Sequence, residues 1–291
     1  MKAPAFDYVK AASLDEALRL LETHGEAAKI IAGGQSLLPA LNLRLMSPSI
    51  LVDMGGLDDL RGISLANGMV HIGAMTRHAD LLRSPKIKQR LPLLNAAIAH
   101  VAHAAIRNRG TIGGNLAHAD PASELPACVM ALSATIVVHG RAGARRIAAS
   151  DFFKGLYETA LLPTEILTSL EIQLPGPDEV FSFHELSRRT GDYAMAGIAC
   201  QAMRAGDRLS ALKAVFFGVG DRPTLARQAV AELLRAPVSA TTIAAAQAAL
   251  ANDLAPQNDL QASSETRLHL ARVLLGRAVQ DLTTSQSGKS A

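Results

Sequence analysis

The chain has 291 residues, long enough for two domains with a substantial core. With 49% hydrophobic and 19% charged residues it falls outside the disordered and fibrous classes. The net charge of +3 is small, and the 29 Lys and Arg are scattered, densest at Arg145-Arg146 and Arg188-Arg189, so no nucleic-acid partner is expected.

Ser13-Leu14-Asp15-Glu16 is a capping box opening a first helix, with a Leu14, Ala17, Leu18, Leu21 stripe and a stop at Gly25. Residues 29–32 read as a short buried strand, followed by Gly33-Gly34-Gln35-Ser36 and a helix-like run. A second strand is expected at 50–53. A hairpin follows, with strands 63–66 and 69–72 around the turn Asn67-Gly68. Helices are expected at 76–82 and 86–106, the latter ending in a basic stretch and Gly110.

A second glycine hinge, Gly113-Gly114, leads into a helix at 124–132 and a strand at 135–139, with another strand at 166–174. Pro175-Gly176-Pro177-Asp178-Glu179 reads as an interdomain linker. Strands are expected at 181–186, 197–204 and 209–218, the last two joined at Ala205-Gly206-Asp207, then helices at 225–234, 241–251 and 264–281. Residues 283–291 are small and polar and read as a disordered tail. Runs of strands followed by runs of helices indicate an α+β architecture.

Cys128 and Cys200 lie in apolar surroundings and read as buried free thiols; an iron–sulfur cluster needs about four such ligands. The N-terminus MKAPAFDYVK lacks an apolar signal-peptide core. The longest apolar run, 127–138, is interrupted by Ser133 and Thr135 and falls short of the ~18 residues of a spanning helix. A cytoplasmic protein without a membrane span is expected.

The two glycine pairs are the features with chemical content. Gln35 and Ser36 stand beside one, Thr111 and Asn115 beside the other. Glycine admits positive φ and lets a ligand come close. Successive N–H groups in such turns form an anion nest, favoured further by a following helix N-terminus. Two such turns could hold a diphosphate from both sides, or they merely connect elements; the residues alone leave both open. Known nucleotide fingerprints do not fit, since no G-x-G-x-x-G follows a strand and no G-x-x-x-x-G-K-[ST] occurs.

AGGQSLLP (32–39) and TIGGNLAHADPASELP (111–126) resemble the flavin-binding medium subunit of the molybdenum hydroxylases, the family of xanthine dehydrogenase and aerobic carbon monoxide dehydrogenase. The resemblance continues through ALLPTEIL (160–167) and SRRTGDYAMAG (187–197), so it covers nearly the whole chain. It implies an FAD-binding domain of the vanillyl-alcohol-oxidase (PCMH) type over 1–175, in two parts at about 1–55 and 56–175. A smaller α+β C-terminal domain of antiparallel sheet plus helices would occupy 176–283, with a disordered tail at 284–291.

The resemblance also implies a cofactor site. Ala32, Gly33, Gly34, Gln35 and Ser36, flanked by Ile31 and Leu37, would clasp the FAD pyrophosphate and ribityl chain together with Thr111, Ile112, Gly113, Gly114 and Asn115. Glu124 occupies the acidic position that hydrogen-bonds FAD. Leu161 matches a backbone contact near the flavin ring, Val101 an apolar contact at the nucleotide, and Ala119 belongs to the same set. Tyr193 would cover the isoalloxazine ring, although by itself it could be plain core. Relatives often carry Lys just ahead of the Arg-Arg pair, where this chain has His184-Glu185, a change that would alter the local potential.

Other constellations weigh less. His100 and His103 stand at i, i+3 on the expected helix with His118 and Asp120 close by, a spacing that could ligate a metal; packing around the cofactor cleft or a subunit contact is the reading adopted, with no metal. No G-x-S-x-G is present, and no residue is poised to activate a substrate, so no catalytic residue is assigned. That agrees with a subunit whose chemistry resides in its cofactor.

The expected function is the FAD-carrying electron-transfer subunit of a heterotrimeric molybdenum hydroxylase. A large subunit would hold the molybdenum cofactor and a small one the [2Fe–2S] clusters, as a dimer of heterotrimers. The alternatives are a stand-alone flavin-dependent oxidase or reductase of related fold, and a nucleotide-binding scaffold without a redox role.

Overall fold

In the computed structural model, which describes residues 2–284 except Asp207, the chain opens with a strand that sequence patterning missed, β1 (Asp7–Lys10). Helix α1 (Leu14–His24) starts where the capping box predicts, with Ser13 accepting the Glu16 N–H, and buries Ala17, Leu18 and Leu21. Then follow β2 (Ala28–Ile31), α2 (Leu37–Asn42) and β3 (Ile50–Asp53). The three strands form a parallel sheet in the order β1-β3-β2. Its apolar face closes on α1 through Leu18, Leu21, Ile50 and Val52.

The next unit is an antiparallel five-stranded sheet. It begins with the hairpin β4 (Ile63–Ala66) and β5 (Met69–Gly73), whose Asn67 and Gly68 both have positive φ, as a type I′ turn demands. Four short helices follow, α3 (His78–Arg83), α4 (Pro85–Arg90), α5 (Pro92–His100) and α6 (Ala104–Arg107). The expected continuous helix over 86–106 is therefore corrected. Pro92 has no N–H to donate back and starts a new helix, and Ala102, at φ 42°, breaks the chain again. His100 ends α5 and His103 caps α6, so they do not share a helix face.

The second glycine pair lies inside a helix, α7 (Ile112–His118), and not in a hinge. Then come α8 (Glu124–Ala131), β6 (Thr135–Gly140), β7 (Gly143–Ala148), α9 (Ala149–Phe152), β8 (Phe153–Gly155), β9 (Glu158–Thr159) and β10 (Ile166–Gln173). The sheet order is β4-β5-β10-β6-β7. The unexpected β7 is an edge strand, exposed apart from Ile147, so it shows no apolar alternation.

After 174–178 the chain forms β11 (Glu179–Ser187), β12 (Ala194–Ala205), β13 (Arg208–Phe217) and β14 (Thr224–Leu225), an antiparallel sheet in sequence order. Three helices cover one face: α10 (Arg227–Leu234), α11 (Ala240–Asp253) and α12 (Ser264–Thr284). Helix α12 runs through Thr283 and Thr284, which corrects the start of the expected tail; residues 285–291 and Asp207 of the expected turn lie outside the described residues. Both cysteines are free and buried, as expected. No helix among the described residues is long and apolar enough to cross a membrane.

The C-terminal sheet has two apolar faces. Phe216, Ile198 and Cys200 pack on α10–α12. Ala199, Val215 and Phe217 join the core of the preceding unit with Cys128, Leu125 and Ala97. Phe217 also stacks on Phe183 at 5.8 Å. Phe217→Ala should therefore cost about 3–5 kcal/mol, the range for a buried aromatic truncated in a core. Urea unfolding of the full chain measures this, and a loss below about 1 kcal/mol would contradict the shared core.

Candidate functional site

Strand β2 ends at Ile31, and residues 32–36 turn the chain into α2. Gly34 has φ 72°, a conformation that excludes most side chains. Leu38 N–H donates to Gly34 O (3.0 Å), Ala40 N–H to Ser36 O (3.2 Å), and the Gln35 side-chain amide to Gly33 O (2.9 Å). The backbone N–H groups of Gly33, Gly34, Gln35, Ser36 and Leu37 have no acceptor among the described residues. These residues are half-buried to exposed, so the run offers a set of donors that water or an anion can take up.

Gly33 brings the second glycine segment to this one. A Cβ there would overlap the Arg109 carbonyl oxygen and stand 2.7 Å from Gly110 Cα. The donors of the second segment are committed: Ile112 N–H to Thr76 O (3.0 Å), Gly113 N–H to Ala74 O (2.9 Å), Gly114 N–H to Thr111 Oγ1 (3.2 Å), Asn115 N–H to Thr111 O (3.0 Å). The Asn115 amide donates to Ser123 Oγ at 2.8 Å. Gly113 is packed, with its notional Cβ 2.5 Å from Ala74 Cβ. Gly114 is exposed, and beyond Thr111 the nearest atom to a Cβ there is Ala32 Cβ at 3.7 Å. One segment thus supplies donors, and the other a side wall whose exposed point is Gly114.

The remaining expected residues are spread along the boundary between the two larger units. Val101 and Ala119 are buried in the core that both units share. Leu161 follows β9, its N–H donating to Thr159 Oγ1 at 3.3 Å. Tyr193 is 60% exposed, which removes the plain-core alternative. It lines a cavity of about 310 Å³ together with Tyr157, Asp120, Gly218, Asp259 and Arg267. Tyr157 and Arg267 were not singled out from sequence; Tyr157, at φ 56°, rests on His118 with ring centroids 5.0 Å apart. Among the described residues, no group of three His, Cys, Asp or Glu could hold a metal.

Glu124 opens α8 and is buried, which lifts its carboxyl to about 7. Glu185 was missed as a site residue, and only strand alternation with Phe183 could have signalled its inward direction. Its side chain is 2% exposed, and its Oε2 has no hydrogen-bond partner. His100 Nδ1 is the nearest cation candidate, 3.8 Å away. Burial, and then Glu124, push the Glu185 carboxyl up to about 8. The neighbouring His184 instead meets Asp281 Oδ2 at 2.7 Å.

These acids bind protons in the folded chain at pH values where the unfolded chain has lost them. Their contribution to stability is therefore full below the ordinary value of 4.5 and falls as pH rises toward about 7 for Glu124 and about 8 for Glu185. Glu185→Gln should flatten this fall across the window from 4.5 to about 8, measured by urea unfolding of the flavin-free chain. A slope equal to wild type would show that Glu185 ionises freely.

Residues 4–175 match the family described as FAD binding domain in molybdopterin dehydrogenase, and residues 181–282 the CO dehydrogenase flavoprotein C-terminal domain. The chain is 40% identical over 281 residues to the alpha subunit of the 6-hydroxypseudooxynicotine dehydrogenase complex of Paenarthrobacter nicotinovorans, covering 96% of this chain and 95% of that one. It is 37% identical to the nicotine 6-hydroxylase medium subunit of the same organism, covering 96% and 98%. The solved structure of reconstituted CO dehydrogenase from Oligotropha carboxidovorans superposes with a TM-score of 0.95 at 34% identity, over 98% of this chain and 100% of that one. Matched along nearly its whole length, the chain belongs to the FAD-binding medium subunits of the molybdenum hydroxylase family.

Proposed function

We propose that this chain is the electron-transfer subunit of a three-component molybdenum hydroxylase, taking electrons from [2Fe–2S] clusters of a small subunit and passing them to an external acceptor. A large subunit would carry the molybdenum cofactor, and the complex would be a dimer of heterotrimers. The observation that carries this reading is the run of unpartnered N–H groups at 33–37 beside the open Gly114. Bound FAD supplies a centre that accepts single electrons, stores two and releases them.

The chain's own residues bind and orient. The N–H groups of 33–37 would hold the diphosphate, with the Gln35 amide on Gly33 O keeping the loop in shape. Ile31, Ala32 and Leu37 flank this seat; Thr111, Ile112, Gly113, Gly114 and Asn115 form its opposite wall. Glu124, when protonated, would donate a hydrogen bond at the cofactor, and Val101 and Ala119 would back the nucleotide. Leu161 would border the flavin ring from the chain after β9, and Tyr193 from the cavity that Tyr157 also lines. Residues 1–175 would form the nucleotide-binding domain, and the C-terminal domain would border the ring through Tyr193.

The separation between Gly113 and Gly114 makes the test specific. Gly113→Val collides with Ala74 and should impair folding. Gly114→Val meets only the Thr111 hydroxyl at 2.9 Å before Ala32 at 3.7 Å, and should lose FAD while the fold is kept. In the assembled enzyme, Gly114→Val should abolish transfer to the acceptor but leave substrate-driven cluster reduction intact, followed by rapid-mixing absorbance. Cluster reduction lost along with the FAD in an intact complex would overturn the downstream placement. The flavin should also leave wild type on acid precipitation; flavin kept in the pellet would mean a covalent link.

A further inference from the structure

Arg267 is the one Lys or Arg among the described residues that is buried. It lies in the first turn of α12. Its Nη1 donates to Met195 O at 2.7 Å and to Gly218 O at 2.6 Å, and its Nη2 to Asp259 Oδ2 at 2.6 Å. These acceptors belong to three separate stretches: the start of β12, the residue after β13, and the loop between α11 and α12. Asp259 is itself fixed, accepting the Gln261 and Ala262 N–H groups at 2.8 and 3.0 Å. The guanidinium hydrogen bond holds its carboxyl down at about 2.

The same contacts lead to the cavity. Met195 follows Tyr193 by two residues. Gly218, held from behind by Arg267, donates its own N–H forward to Pro121 O at 2.8 Å, across the boundary to the FAD-binding unit. Gly218 has φ 73°, and a Cβ there would stand 2.8 Å from Ala194 O, so this turn has little room to shift. Tyr193, Ala194, Gly218, Asp259 and Arg267 all line the cavity.

A charge buried here costs desolvation that apolar packing would avoid. What a guanidinium adds is a rigid planar fork that serves several acceptors at once. We propose that Arg267 is a positioning residue: it fixes Tyr193 and the Gly218 turn against the FAD-binding domain and so sets the face of the cavity that borders the flavin ring. This rests on the reading above that Tyr193 faces the flavin.

Flavin emission from the full-length, FAD-loaded chain tests the two ideas separately, because a phenol against the ring quenches it. Tyr193→Phe should brighten the bound flavin several-fold. Arg267→Lys keeps the charge but not the fork, and should give most of that rise with FAD per chain unchanged. Arg272→Met, on the same helix where Nε donates to Gln247 O at 3.0 Å, should lower Tm without changing emission. Wild-type emission from Arg267→Lys beside a bright Tyr193→Phe overturns the role of Arg267 alone. A dim Tyr193→Phe overturns the placement of Tyr193 and the proposal with it.

Equal brightening by Arg272→Met, or loss of FAD from Arg267→Lys, also overturns it, since the diphosphate seat lies outside the contacts of Arg267. Should Arg267→Lys fail to fold, Asp259→Asn, at a half-exposed carboxylate, releases one arm of the fork. A partial rise then supports the proposal, and no rise overturns it.

Discussion

The loop at residues 32–36 and the turn at 109–110 approach until no side-chain carbon fits between Gly33 and the Arg109 carbonyl. That close approach joins the small parallel sheet to the antiparallel unit, since α7 is in turn anchored on the turn after β5 through Ala74 and Thr76. The donors of one segment therefore face a wall built by the other. Glycine is required at Gly33 and Gly113 by protein packing and at Gly34 by positive φ. At Gly114 a Cβ would meet Thr111 Oγ1 at 2.9 Å and, beyond it, nothing nearer than Ala32 Cβ at 3.7 Å. Four glycines that look alike in sequence thus do three different things.

A second constraint acts at the C-terminal sheet, which is apolar on both faces. One face closes its own helices, and the other completes the core of the FAD-binding unit through Val215 and Phe217. Buried titratable groups collect along that shared boundary: Asp120 and Glu124 on one side, Glu185 and Arg267 on the other. The arrangement makes the boundary sensitive to protonation and geometry at once. It is also where a redox group could have its environment tuned by protein charge without any catalytic side chain.

Local chemistry made much of this readable beforehand. The capping box at Ser13, the Asn67-Gly68 hairpin and the periodic C-terminal helices lie where their residues indicate, because those signals act over a few positions. Pro92 is a visible stop inside the expected helix 86–106, whereas the positive φ of Ala102 has no local signature. Edge strands β1 and β7 are too exposed to alternate. At the site, residue types pointed to the two glycine segments, but which donors remained free depended on contacts with Ala74, Thr76 and Thr111. The burial of Glu185 and Arg267 likewise follows from which unit packs on which, a long-range property that a single chain of letters does not display.

The central claim is that the N–H groups of residues 33–37 seat the diphosphate of FAD. A crystal structure of the FAD-loaded chain tests it most directly. The account predicts diphosphate oxygens within hydrogen-bonding distance, about 2.7–3.2 Å, of several of these nitrogens, with Gly114 against the ligand. FAD held with its diphosphate elsewhere, and the 33–37 donors turned to water, would contradict it.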